Sequence, residues 1–457
     1  MEIKRNRKLR FAALLTVGAM WASLTACGSA QKQTADQTTA QETRQAAAGQ
    51  ADQINAPAAE TAAESRASGE FVPALDTDKE VTLNMVGSWG NFEALEAAAQ
   101  DFEKYYPNVE IVYTQLKNFT EDLTNRAATG EDLDIFMTNW WNNNTEDQAE
   151  IYASYAEDLN EAGLDLSLFR QEAVEGYVMD GKLCALPIYA APHGYMVNLD
   201  LLKEAGLEVP QTWDDFMHCC ETLQAAGYEH PILAHSSYFG RSALAHCMNL
   251  IRKGEEPDQA FEDTLDLLDE LAASGYIMED SDDLKDNYEA LILRFFEGDV
   301  PFACFSSSNY SGTKKREAKS EAFGKNPFAY AFISSPYDDE SVTYYNQLNA
   351  ISFSVYKDSA QVDYANELLR FLSEPEEMRV LAEVKNMPTY SAVNGNELFP
   401  YLDRSSLSFT HMTEGLTMID EEAALESLSH LSHEGIDHAE ALEKFRSYYA
   451  LRQGGRY

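Results

Sequence analysis

From residue 28 to about residue 78 the chain is built of Ala, Gln, Thr, Ser and Glu, with almost no large apolar side chains. Such a composition buries too little surface to offset chain entropy, so no fold is expected there. Whatever folds must begin near residue 79. Roughly 380 residues follow, more than one hydrophobic core usually serves, and two lobes are the expectation. No polar linker divides that length into halves. The chain is therefore expected to pass back and forth between the lobes instead of building two domains in series.

The N-terminus gives the unfolded stretch a purpose. Residues 1–10 carry five basic residues and run into the apolar stretch FAALLTVGAMWASLTA. That stretch is about 15 residues, within the range of an export signal but short of the roughly 20 needed to span a bilayer. Leu24-Thr25-Ala26-Cys27 fits the lipobox pattern, in which small residues precede a cysteine that becomes thioether-linked to diacylglycerol. Residues 1–26 are thus expected to be a signal peptide, Cys27 the lipid-attachment site and residues 27–78 a tether. As a flexible coil the tether has a root-mean-square reach of about 40 Å. An ordinary signal peptide or an anchor helix is the alternative. The expected location is the outer face of the cell membrane, in an envelope of Gram-positive type, with the lipid as the one membrane contact.

The formal net charge is −42, and removing a basic leader makes the remainder more acidic still. Such a surface disfavours nucleic acid and anionic lipid as partners. It says little about a ligand, because most carboxylates fall in helical patterns such as Glu255 to Asp269 that read as solvated faces. Cys184, Cys219, Cys220, Cys247 and Cys304 are odd in number and irregularly spaced, with no CxxC pair. They read as small buried side chains and not as a disulfide framework or a zinc site.

The folded part opens with a β-rich run, Val81 to Val86, followed by Gly87-Ser88-Trp89-Gly90-Asn91 and an amphipathic helix striped by Leu95, Ala98, Ala99, Phe102 and Tyr105. Pro107 stops that helix, and Val109 to Tyr113 is the next strand, giving a β-α-β unit. A third strand, Leu133 to Met137, ends in Thr138-Asn139-Trp140-Trp141. Ligands of open α/β sheets lie beyond the carboxyl ends of the strands, where Trp89, Trp140 and Trp141 fall. Further on, Thr212 and Asp215 are spaced as a capping box after Pro210, which makes Trp213 a packing residue at a helix start. Leu186-Pro187-Ile188-Tyr189 lacks helix signals and precedes the apolar run Tyr195 to Leu199, which suits an extended crossing.

Taken in order, these pieces resemble the bacterial extracellular solute-binding proteins of family 1, the maltose-binding-like receptors of ABC importers. FEKYYPNVEIVY at Phe102 to Tyr113 is similar to the family's opening. GKLCALPIYAAPHGYMVNLDLLKEAGLEVPQTWDDF at Gly181 to Phe216 resembles its Gly-Lys-x-Tyr-x-x-Pro, Tyr-Asn-Lys and Ala-Gly-Leu-x-x-Pro-x-Thr-Trp segments. Phe295 to Phe302 resembles the Phe-x-x-Gly pattern before a lobe-two binding strand, and Asn349 to Val393 matches a late segment. The resemblance implies a type II periplasmic-binding-protein-like α/β fold, with discontinuous lobes joined by a hinge. Lobe one is expected at residues 79–187 and 335–383, lobe two at 188–334 and 384–457. It also makes the Leu186–Tyr189 segment a hinge strand with the ligand cleft beside Tyr189. The chain departs from the family where Val197 and Leu199 flank Asn198, and where Cys304 to Tyr310 replaces a Gly-x-Trp segment, leaving Tyr310 as the nearest aromatic.

No GxxxxGK[ST] loop is present to energise transport, and no GxSxG elbow. His433-Glu434 and His438 have HE-x-x-x-H spacing where a zinc protease has HE-x-x-H, and no metal or cofactor is expected. Sugars offer flat C–H faces and rings of hydroxyls, so a cleft for them needs aromatic platforms and planar hydrogen-bonding side chains. Trp89, Trp140, Trp141, Tyr189, Tyr238 and Tyr310 supply platforms, and Asn91, Arg241, Asn309 and Asn346 supply polar groups. The expected function is capture of a carbohydrate, an oligosaccharide by preference, by a monomer that delivers it to permease subunits served by a separate ATPase. No catalytic residues are assigned. A polyamine or a ferric ion, the latter held by Tyr344-Tyr345, is the alternative solute. An extracellular glycoside hydrolase is the alternative of another class, resting on paired carboxylates that chance supplies in so acidic a chain.

Overall fold

A computed structural model of the chain describes residues 71–90, 93–138, 148–190, 192–234, 236–278, 288–306, 310–346, 351–392, 399–402, 406–410 and 437–453. Its strands are β1 (Val81–Gly87), β2 (Val109–Gln115), β3 (Ile135–Thr138), β4 (Val178–Met179), β5 (Lys182–Leu183), β6 (Leu186–Tyr189) and β7 (His193–Asn198). They continue with β8 (Ile232–Ala234), β9 (Phe302–Ser306), β10 (Tyr330–Ser334), β11 (Val342–Asn346), β12 (Ile351–Val355) and β13 (Ser406–Thr410). One sheet has the order β2-β1-β3-β12-β6 and a second the order β10-β7-β9-β8. In the first, β1 lies parallel to β2 and β3, while β12 is antiparallel to both β3 and β6. In the second, β7 is antiparallel to β10 and β9, and β8 is parallel to β9.

Each sheet is covered by helices and has its own core. The first core gathers Leu83, Leu95, Phe102, Ile135, Phe353, Leu368 and Leu381, and the second gathers Val197, Phe216, Phe261, Leu291, Phe302 and Ile333. The chain changes sheets between Tyr189 and His193 and again between Ser334 and Ile351. Among the described residues the last change of core falls between Tyr390 and Phe399. All of β6 stays in the first sheet, and Met387 and Tyr390 stay in the first core, so the changes expected at 188 and 384 come a few residues later.

Local chemistry accounts for the motifs. Thr212 and Asp215 form the full capping box, and Trp213 packs on Phe216 and Tyr337 with its indole N–H on Glu270 at 3.3 Å. Asn198 caps the helix Leu199–Glu204 by accepting from the Leu201 N–H at 3.2 Å, and its amide donates to the Gly298 carbonyl at 3.3 Å. Two segments of the family pattern, one around Asn198 and one around Gly298, are thereby tied together. Asp180 and Gly181 take positive φ in the turn between β4 and β5. That turn aims Lys182 at the Ala153 and Ala156 carbonyls, a cation on the C-terminal end of the helix Gln148–Tyr155.

The five cysteines are buried and unpaired. The helix Pro257–Ser274 buries Ala260, Phe261, Leu265, Leu268 and Leu271. Phe261 stacks on Phe445 of the helix His438–Gln453, centroids 4.3 Å apart. Among the described residues no helix is long and apolar enough to cross a membrane. Residues 1–70, with Cys27, and residues 411–436, with His433 and Glu434, lie outside the described residues.

Residues 71–76, which composition places in the tether, pack on the first core. Phe71 is buried, edge-on to Tyr105 and Phe371 at 5.2 and 5.1 Å. The Ala74 and Leu75 N–H groups donate to the Tyr106 hydroxyl at 2.9 and 3.1 Å, and the Tyr364 hydroxyl donates to the Asp76 carbonyl at 2.7 Å. One buried aromatic side chain and a few backbone hydrogen bonds dock this short segment, which has no periodicity of its own.

The helix Pro375–Lys385 buries Glu377 against the first core, and among the described residues its Oε2 has no hydrogen-bond partner. Burial, with Asp101 and Glu376 adding repulsion, pushes this carboxyl up to about 7. A carboxyl raised in the folded state binds its proton there first, so stability falls as pH climbs from the ordinary carboxylate range to about 7 and is level beyond. Glu377→Gln is expected to be more stable than the parent by about 1–2 kcal/mol at pH 8, with the gap shrinking toward pH 4.5. Urea unfolding at the two pH values checks this, and a gap independent of pH would contradict it.

Candidate ligand-binding site

The carboxyl ends of β1, β3 and β6 lie along one edge of the first sheet, since β12 is antiparallel to both β3 and β6 while β1 is parallel to β3. The loop after β1 is held against β2. The Tyr113 hydroxyl donates to the Trp89 carbonyl at 2.8 Å, and the Gln115 amide donates to the Ser88 carbonyl at 2.9 Å. A Cβ on Gly87 would come within 2.4 Å of the Tyr113 hydroxyl, so this approach needs glycine. Trp89 is half-buried on that edge. The Lys385 ammonium stands 4.5 Å from its ring centroid. Burial holds Lys385 below the usual lysine range, with Glu93 acting the other way.

The other expected site residues divide sharply. Tyr189 ends β6 on the same edge, but its side chain is fully buried and its hydroxyl donates to the Leu381 carbonyl at 2.9 Å. Its ring is spent on the first core, which overturns its assignment as a cleft wall. Tyr310 is likewise a core residue, edge-on to Tyr330, Phe332 and Phe399, so it does not offer the open platform expected of it. Asn91, Trp140, Trp141 and Asn309 lie outside the described residues. Tyr238 and Arg241 sit on the helix Ser236–Arg252, which follows β8, and Asn346 ends β11, while their side chains lie outside the described set.

Sequence reasoning missed how that helix is held. His246 and Asn249 reach the buried Asp338 at 3.4 and 3.3 Å, and Lys253 reaches it at 3.2 Å while also pairing with Glu340 at 2.7 Å. Burial alone would raise the Asp338 carboxyl, but His246 and Lys253 outweigh it and hold the group below its ordinary range. The Asp338 carbonyl also accepts from the Trp213 N–H at 2.9 Å. The helix bearing Tyr238 and Arg241 is therefore pinned at its far end. His246, Asn249 and Lys253 do recur at helical spacing, but nothing marks Asp338 as their common partner.

Tyr344 and Tyr345 are both buried in different surroundings. The Tyr344 hydroxyl lies 3.2 Å from His246 Nδ1, whereas Tyr345 packs on Tyr390 in the first core. Their phenols do not converge on a common point, as alternation along a strand requires. Among the described residues no group of three or more His, Cys, Asp or Glu is placed to hold a metal ion.

Residues 97–393, more than half of the chain, match the family model of the bacterial extracellular solute-binding proteins. The chain belongs to that family. A curated relative, the multiple sugar-binding protein of Streptococcus mutans, is 26% identical to this solute-binding protein over 131 residues, which cover 29% of this chain and 30% of the relative. Among solved structures, apo RafE of Streptococcus pneumoniae is similar with a TM-score of 0.64 at 20% identity, over 83% of this chain and 100% of that one. The GacH receptor of Streptomyces glaucescens gives 0.63 at 17%, over 83% and 100%. The sugar-binding protein MalE of Xanthomonas citri gives 0.63 at 16%, over 82% and 98%. These likenesses fix the fold of the solute-binding protein as the two-lobed α/β type II architecture.

Proposed function

We propose that this solute-binding protein captures a carbohydrate, an oligosaccharide by preference, for an ABC importer and hands it to a permease served by a separate ATPase. The observation that carries the reading is Trp89, half-buried at the carboxyl edge of the first sheet, with Trp140 and Trp141 following β3 in the sequence. An indole face there suits the C–H face of a pyranose. The names of similar proteins agree: a multiple sugar-binding protein, RafE in complex with raffinose at a TM-score of 0.61 and a Bacillus licheniformis sugar transporter in complex with stachyose at 0.56. Capture proceeds by closure of the two lobes over the solute, which buries it and shifts the open–closed balance. The protein works as a monomer held by a lipid on Cys27 to the outer face of the membrane.

The test is a thermal-shift screen of the mature protein against raffinose, stachyose, maltooligosaccharides, spermidine and ferric citrate. A ligand bound only by the native state raises the melting temperature. A shift with one glycan class supports the reading. A shift confined to spermidine or ferric citrate overturns the solute assignment, and turnover of a chromogenic glycoside overturns the binding role. Trp140→Ala and Trp141→Ala are each expected to weaken binding of the responding sugar by at least about 1 kcal/mol, read by calorimetry. Unchanged affinity in both would remove that loop from the site.

A further inference from the structure

Two contacts join the lobes on the side of the molecule that bears Trp89. Glu93, in the first turn of the helix after β1, meets Lys315 of the helix Thr313–Glu317 at 3.5 Å. Asn386, just past the helix Pro375–Lys385, donates from Nδ2 to the Tyr310 carbonyl and the Thr313 hydroxyl, both at 3.2 Å. The helices carrying Glu93 and preceding Asn386 bury Leu95 and Leu381 in the first core, whereas Tyr310 lies in the second. Thr313 is fully buried, so the amide reaches into the second lobe and not merely across its surface.

The position of Asn386 in the chain adds weight. Two residues later the Pro388 carbonyl accepts from the Ala190 N–H at 2.9 Å, and Thr389 bridges to Tyr189, so Asn386 borders the first crossing between sheets. Its backbone is left-handed at φ 54°, where glycine would end the helix at less cost. The helix end does not require an amide there; only the contacts with Tyr310 and Thr313 use it.

We propose that Asn386, assisted by the Glu93–Lys315 pair, sets solute affinity without touching the solute, by favouring the lobe arrangement seen here before any ligand arrives. The inference rests on the capture reading above, since only a protein that binds by closure converts lobe balance into affinity. Each contact belongs to both lobes at once, so its free energy counts only in the arrangement that holds them together.

The deciding experiment needs no solute. Spin labels at Gln100→Cys on the first lobe and Glu221→Cys on the second, both exposed positions, report the lobe separation of the ligand-free protein by pulsed dipolar spectroscopy. Asn386→Gly keeps the left-handed backbone at ease and removes only the amide. It is expected to raise the ratio of separated to apposed molecules about 3–10-fold, the range of one or two buried hydrogen bonds. Lys315→Glu is expected to shift the distribution the same way, and Glu93→Lys added to Lys315→Glu to restore it. An unchanged distribution in Asn386→Gly overturns the proposal. A shift in a protein that binds no sugar in the thermal screen leaves the lobe clamp standing and removes the sugar reading alone.

Discussion

Gly194→Ala is expected to cost about 3 kcal/mol or more of unfolding free energy. Gly194 lies in β7 opposite Ser334 of β10. A Cβ there would stand 1.8 Å from the Ile333 carbonyl oxygen, 2.8 Å from its carbon and 2.9 Å from the Ser334 Cα. All three are backbone atoms, so no side-chain rotation relieves the overlap and the strand pair must part. The ladder at stake is the one that begins the second sheet just after the chain leaves the first. Urea unfolding of the variant checks the claim, and a loss under about 1 kcal/mol would show that β10 yields without breaking its register.

Arg370→Ala ranks second, at about 2–4 kcal/mol, because it strands a buried carboxylate. Glu367 is 5% exposed and takes a bidentate grip from Arg370, with Nε on Oε2 at 2.8 Å and Nη2 on Oε1 at 2.7 Å. The Tyr106 hydroxyl and the Ala74 N–H also donate to Oε1. Arg370 itself stacks its guanidinium on Phe71 at 4.1 Å and donates to the Val72 carbonyl at 2.7 Å, so the docked segment from Phe71 loses two holds at once. Burial would raise the Glu367 carboxyl, but Arg370, Tyr106 and Ala74 outweigh it and keep the group below its ordinary range. A depressed carboxyl contributes stability above its unfolded pKa and loses it as pH falls through the folded value. The parent should therefore lose stability on acidification that the variant never had, and the gap between them should close below about pH 4. A gap that stays constant from pH 7 to pH 3 would place the damage in packing and not in the ion pair.

What the sequence made legible was local. The order of β1, the helix Glu93–Phe102 and β2, the cap at Thr212 and the burial of five lone cysteines all follow from patterns a few residues long. What it hid was contact between distant segments. The Ala74 to Glu367 hydrogen bond joins residues 293 apart, and no period or cap foretells it. The site shows the same division. Trp89 follows β1 half-buried, whereas Tyr189 and Tyr310, chosen because aromatic rings suit sugars, are claimed by the cores. An aromatic ring satisfies both demands equally well on paper, and only the packing partner decides between them. Lys385 over Trp89, Asn386 and Asp338 carried no sequence signal, because a charged or amide side chain at a helix end or in a loop ordinarily faces water.

The docked segment at residues 71–76 has a mechanical consequence. Its holds on Tyr106, Tyr364, Glu367 and Arg370 all belong to the first lobe. A pull on the chain from its N-terminal side is therefore taken up within that lobe, and the load path never reaches the crossings between the lobes. On the proposed lipid mooring and lobe closure, the second lobe swings against a fixed first one, so drag on the mooring and grip on the cargo are decoupled.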